Sequence, residues 1–189
     1  MLQYRCLRGS PVHSAITGSN PKKVLSTLLE FSSEVEDHRL VDRKDLNGIS
    51  PLFLSAFTEN IQLVEFLLKH NANYAAATSN DESVLHLCSS RNLHKIAHLV
   101  LEHLGAKIEF DGFEFINRGE KQKNGKAKVS IEVLAAIFEP NEDGNTPLHI
   151  ACDYDHLKLV KLFSCIGERE LIDCQNKESQ TPYQIAVKS

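Results

Sequence analysis

Among the nine histidines, five cysteines and 25 carboxylates of this 189-residue chain, a few spacings could do chemistry. His94 and His98 stand four apart in a segment that reads as a helix, a geometry that can present two imidazoles to zinc, with His103 nearby. No Glu follows the first His as in the His-Glu-x-x-His pattern, and no fourth ligand converges in sequence. The pair therefore reads as helix histidines and not as a metal site. Asp143-Gly144-Asn145 and Asp45-Leu46-Asn47-Gly48 contain the residue types of a calcium loop, but the alternating carboxylates and closing Glu are missing, so they read as tight turns. Phosphate-cradling, nucleophile-elbow and kinase signatures do not occur, and no nucleophile has a base at a recognisable spacing. The expectation is a non-enzyme with no cofactor, no metal and no small-molecule substrate. Cys6, Cys88, Cys152, Cys165 and Cys174 are odd in number and form no Cys-x-x-Cys pair, which argues against a disulfide framework.

One charge cluster remains. Arg118, Lys121, Lys123, Lys126 and Lys128 are relieved only by Glu120, in a chain of net charge −4. The run reads first as a solvated loop, and beyond that as a contact for an acidic partner or a nuclear-import patch. No aromatic residue interleaves the basic ones, so neither the run nor the overall charge gives reason to expect a nucleic-acid partner. Gly119 and Gly125 add to its polarity and predict loose packing over 117–128.

The elements that must carry these residues announce themselves by repetition. Ser10-Pro11-Val12-His13-Ser14-Ala15, Ser50-Pro51-Leu52-Phe53-Leu54-Ser55, Thr146-Pro147-Leu148-His149-Ile150-Ala151 and Thr181-Pro182-Tyr183-Gln184-Ile185-Ala186 share one pattern. Ser83-Val84-Leu85-His86-Leu87-Cys88 lacks only the proline and begins 33 residues after Ser50. A Ser or Thr side chain can accept a backbone N–H at a helix start, and proline at the first helical position gives up a donor that has no partner there. Each phrase therefore opens a helix. Small residues follow where helices must approach closely, at Ala15, Ser55-Ala56, Cys88-Ser89, Ala151-Cys152 and Ala186, and all are expected in the core. A second apolar pattern follows each, as in Leu63, Val64, Phe66, Leu67 or Leu157, Leu159, Val160, Leu162, Phe163.

These phrases and their period resemble the ankyrin-repeat family from about Ser10 to the end of the chain. The resemblance implies an all-α solenoid of helix pairs with short β-hairpin fingers, forming a single domain over 1–189. Its repeats would lie near 9–41, 45–78, 79–106, 141–176 and, in part, 177–189, with a degenerate or inserted repeat at 107–140. In such proteins the fourth-position imidazoles of His13, His86 and His149 bridge backbone groups of adjacent turns. The family also implies a concave face that binds a protein partner. Carried over by register, the contacts would be Arg43, Leu46, Phe57, Thr58, Asn80, Asp81, Arg91, Glu142, Asp153 and Tyr154. Phe57, Arg91 and Tyr154 are the expected anchors, because exposed aromatics and Arg dominate binding hot spots. The alternative is a regulatory or substrate-recruiting arm of an enzyme or channel whose other domains lie outside this chain.

The period breaks twice. The 40 residues from Ser10 to Ser50 place a polar loop at about 31–41, and the 63 from Ser83 to Thr146 leave room for nearly two repeats. In that second gap, residues 107–116 alternate around Asp111-Gly112, the signature of a hairpin with a two-residue turn. Ser130 then caps an apolar segment ending before Pro140, so the gap reads as a degenerate repeat that keeps its hairpin and second helix. Val133, Leu134, Ile137 and Phe138 would form that helix's buried face. Apolar runs are too short for a membrane span and the first residues lack a signal-peptide core, which predicts a cytoplasmic or nuclear chain. The helix opened at Thr181 has no second helix after it, which predicts a piece of a longer protein.

Overall fold

The computed structural model describes residues 10–34, 40–110, 115–117, 129–166 and 168–188. The expected single domain divides into two compact units, Met1–Ser79 and Asn80–Ser189. The first unit holds α1 (Pro11–Ile16), α2 (Pro21–Glu34), a 3-10 turn at Leu40–Asp42, α3 (Pro51–Phe57) and α4 (Ile61–Lys69). The second holds α5 (Val84–Arg91), α6 (His94–His103), β1 (Ile108–Phe110), β2 (Phe115–Asn117), α7 (Ile131–Phe138), α8 (Pro147–Asp153), α9 (Leu157–Ser164), α10 (Glu168–Asp173) and α11 (Pro182–Lys188).

The repeated phrases do open helices, by two chemistries. At Ser50 the hydroxyl accepts the Phe53 N–H at 3.2 Å. At Ser83 and Thr146 the backbone N–H instead donates to Nδ1 of His86 and His149, each at 3.1 Å. An accepting Nδ1 leaves the ring proton on Nε2. That nitrogen donates to the carbonyl just before the next phrase: His86 to Asn145 at 2.9 Å and His149 to Gln180 at 3.1 Å. In the first unit His13 reaches Ile49 in the same way at 2.8 Å. One imidazole thus caps its own helix and ties it to the following turn. In the last phrase Gln184 accepts from Thr181 N–H at 2.9 Å while Thr181 Oγ1 accepts from Gln184 N–H at 3.3 Å, a capping box without histidine.

Leu52, Leu63, Leu67, Leu85, Ile96, Leu148, Leu159 and Phe163 are fully buried, so both helices of a pair face the core. Ala15, Ser55, Ala56, Cys88, Ser89, Ala151 and Cys152 are buried as the small-residue reading requires. Ala186 is not; it is exposed. The expected loop near 31–41 is helical as far as Glu34: nothing after Pro21 breaks the pattern and Leu25 anchors it, while 35–39 lie outside the described residues. Among the described residues no helix is long and apolar enough to cross a membrane.

Three turns share one construction. Asp45, Asn141 and Asn176 each accept, through Oδ1, the N–H groups two and four residues on, at 2.8 to 3.0 Å. The fourth residue takes a positive φ: 74° at Gly48, 78° at Gly144 and 59° at Ser179. Ser179 and, at the equivalent place, Asp81 show that φ alone does not demand glycine. Close approach does. A Cβ on Gly144 would stand 2.8 Å from the backbone nitrogen of Lys177, and one on Gly48 2.9 Å from that of Ser79. Gly144→Ala is therefore expected to cost about 2 kcal/mol, strain plus displaced turn, read as a lower urea midpoint. An unchanged midpoint would refute the close-stacking account.

The long gap is not a layer of the stack. α5 packs directly on α8 and α6 on α9, and His86 ties to Asn145 across 59 residues of sequence. The degenerate-repeat reading is corrected accordingly, since no space remains between those pairs for another. The hairpin exists, antiparallel, with Ile108 opposite Asn117 and Phe110 opposite Phe115. Its turn, 111–114, and the stretch 118–128 lie outside the described residues. Both feet of the insertion are tied to α6. His98 Nε2 donates to the Ile108 carbonyl at 3.0 Å, and Ser130 Oγ donates to that of Leu104 at 3.0 Å. α7 then stands where α10 stands one repeat later. The backbone of Glu139 lies beside His86, as that of Cys174 lies beside His149. Its buried face is Val133, Ala136 and Ile137, whereas Leu134 and Phe138, expected to be buried, are half-covered.

Candidate functional site

In the second unit the turns 141–145 and 176–180 lean over α8 and α11 and leave an open groove of about 600 Å³. Its floor is Ile150 and Ile185, each nearly buried. Around it stand Asp143, Asp153, Glu178, Lys177 and Lys188. The turns are locked together: Glu142 N–H donates to the Asn80 carbonyl at 3.1 Å, Lys177 N–H to that of Asp143 at 3.1 Å, and Asn176 Nδ2 to Asn145 Oδ1 at 2.8 Å. Because Asn141 and Asn176 build the turns, the carboxylates of Asp143 and Glu178 are left to face solvent.

The groove offers charge and hydrogen bonds on an apolar floor. His149 lines it, but both ring nitrogens serve the fold and burial pushes its pKa down, so it stays neutral. Burial pushes the Cys152 and Cys165 thiols up to about 11, leaving them uncharged near neutrality. Glu82 is also raised, by burial and then by the neighbouring charge of Asp143. Among the described residues no group of His, Cys, Asp or Glu is arranged to hold a metal ion.

Two family models, both described as ankyrin repeats, match residues 12–111 and 134–186. The chain belongs to the ankyrin-repeat family. Ankyrin repeats are generally non-catalytic protein–protein interaction modules. The chain is similar to the nuclear factor NF-kappa-B p105 subunit of Gallus gallus, 24% identical over 177 residues, 88% of this chain and 18% of that protein. It is also similar to the NAD-dependent deacetylase sir2B of Dictyostelium discoideum, at 20% over 70% of this chain and 21% of that protein. A third relative is the transient receptor potential cation channel subfamily A member 1 homolog of Caenorhabditis elegans, at 22% over 85% of this chain and 16% of that protein. The chain spans about a fifth of the length of these curated relatives.

Against this ankyrin frame the residues expected to bind fall into groups. In the second unit Asp153 lines the groove, and Glu142 and Asn80 are joined by the bond between their turns, with Asp81 exposed beside them. Arg91 and Tyr154 hold the same place, eight residues after Ser83 and Thr146, on helices that pack together. Both are exposed, Tyr154 at 56%, its ring stacked on His156, which donates from Nδ1 to the Ser89 carbonyl at 2.6 Å. In the first unit Arg43 and Thr58 are exposed and Leu46 is 74% exposed on its turn. Phe57 departs from expectation: it is half-buried, because a phenyl ring at the end of α3 gains by lying against its neighbours. The basic run Arg118, Lys121, Lys123, Lys126 and Lys128 lies outside the described residues. Sequence reading missed Asn176, Lys177, Glu178 and Lys188, although Asn176 stands five residues before Thr181 as Asn141 does before Thr146.

Proposed function

We propose that the chain is a non-catalytic scaffold that holds a protein partner against the turns and first helices of its second unit. The observation that carries this reading is the groove, a concavity with an apolar floor and polar rim, continuous in register with the exposed Arg91 and Tyr154. The relatives favour a second, compatible reading, a recruiting arm of a larger protein, because the chain matches only 21% of a deacetylase and 16% of a channel. Among the described residues Cys88, Cys152, Cys165 and Cys174 are free thiols, which supports a reducing, cytoplasmic or nuclear setting.

Quantitative affinity capture tests the scaffold. Arg91→Ala with Tyr154→Ala is expected to lower recovery of the principal partner at least about tenfold while the melting point stays within a few degrees, because both side chains face water. Phe57 is left intact, since its loss would disturb packing as well as binding. A second variant neutralises Lys121, Lys123 and Lys126. If that change abolishes capture and the first does not, the insertion is the binding site and the concave reading fails.

A further inference from the structure

Resting on the docking reading above, we propose that the groove between turns 141–145 and 176–180 takes an extended basic segment of a partner, with Lys or Arg side chains set against Asp143, Asp153 and Glu178. These three carboxylates come from three elements around one apolar floor, and none has an ion pair among the described residues. Nor does the fold require them. The turn-forming work falls to the side-chain oxygens of Asn141 and Asn176, and in the first unit the equivalent turn places Leu46, Asn47 and Gly48 where the second places Glu142, Asp143 and Gly144. There the one carboxylate, Asp45, is consumed by two turn amides.

The negative field extends beyond the groove. Glu82, on the preceding turn, has its pKa raised, first by burial and then by the neighbouring charge of Asp143. Lys177 and Lys188 also line the groove, Lys177 on the turn bonded to Asp143, so the carboxylates of Asp143, Asp153 and Glu178 outnumber the ammonium groups there by one. A basic side chain entering there relieves repulsion as well as gaining attraction, while its aliphatic stem covers Ile150 and Ile185. An extended strand suits the site because the turns present a row of positions and not a closed cavity.

The test uses three short extended peptides of equal length, basic, neutral and acidic, titrated into the isotopically labelled chain and followed by amide shifts. The basic peptide is expected to bind at least about tenfold tighter than the neutral one, to move the amides of 141–145 and 176–180, and to weaken as salt is raised. Asp143→Asn with Asp153→Asn should remove that tenfold advantage, whereas Glu170→Gln, exposed on α10, should not. Tighter binding of the neutral or acidic peptide in the groove would overturn the basic assignment and leave the docking surface standing. Absence of any groove response would overturn the inference, and the capture experiment then decides the scaffold reading separately.

Discussion

Lowering the pH from about 7 to about 4 is expected to remove about 3 kcal/mol of stability from the second unit through His86 alone. The ring is 1% exposed, and burial holds its pKa at about 4 against an ordinary 6.5. Between those values the unfolded chain binds a proton that the folded chain refuses, so stability falls as pH falls, and below about 4 this group adds no further slope. Burial is the main cause, and the backbone groups of Asn145 and Glu139 beside the ring oppose it. Nδ1 accepts from Ser83 N–H and cannot do so once protonated, which would uncap α5. His149 is depressed in the same direction. Glu82, raised by burial and by Asp143, opposes the trend, so the variant comparison is needed to isolate the imidazole. His86→Gln supplies that comparison, because Gln184 already performs the capping role in the last phrase without titrating. Amide exchange of α5 and α8 at several pH values should show an acid slope in the parent chain and a much flatter one in the variant. Equal slopes would mean that His86 is protonated in the fold or that its burial has no energetic consequence.

The same residues show how far sequence reaches. The helix starts were legible because Ser-Pro and Thr-Pro act locally, through groups within three residues of one another. That His86 reaches the residue before Thr146, and not some partner in the gap, was not legible, since it depends on which helix packs on α5 after a long excursion. The gap was therefore read as a repeat. The hairpin within it could be read from alternation; the stacking order could not. α10 was missed because its six residues carry one buried anchor, Leu171, and no opening phrase. Of the site, the exposed positions Arg91, Asp153 and Tyr154 followed from register alone. The groove did not, because it arises from the lean of one turn over another, set by Gly144 and the Asn176 bond. Phe57 shows a related limit: register gives direction, but the gain from covering an aromatic ring leaves this side chain half-buried.

Replacing Ile137 with Ala is expected to cost about 3 kcal/mol, within the usual range for emptying a fully buried aliphatic site, and Phe138→Ala markedly less. Ile137 and Val133 have no exposed surface and stand four apart on α7, with Ala136 beside them, whereas Phe138 is half-covered and Ile131 is 81% exposed. The consequence should extend past α7. That helix packs on α8, its Ser130 start is bonded to the end of α6, and its Glu139 end lies beside His86. A cavity at Ile137 therefore loosens the joint where the insertion returns to the stack. Chemical denaturation should show a lower midpoint for Ile137→Ala, and amide exchange should show faster opening of α8 as well as α7. An unchanged midpoint, with faster exchange confined to α7, would make the helix a surface decoration. The place it shares with α10 argues otherwise: each is the last helix before a turn that the preceding histidine must reach, so each helps to set where that carbonyl lies.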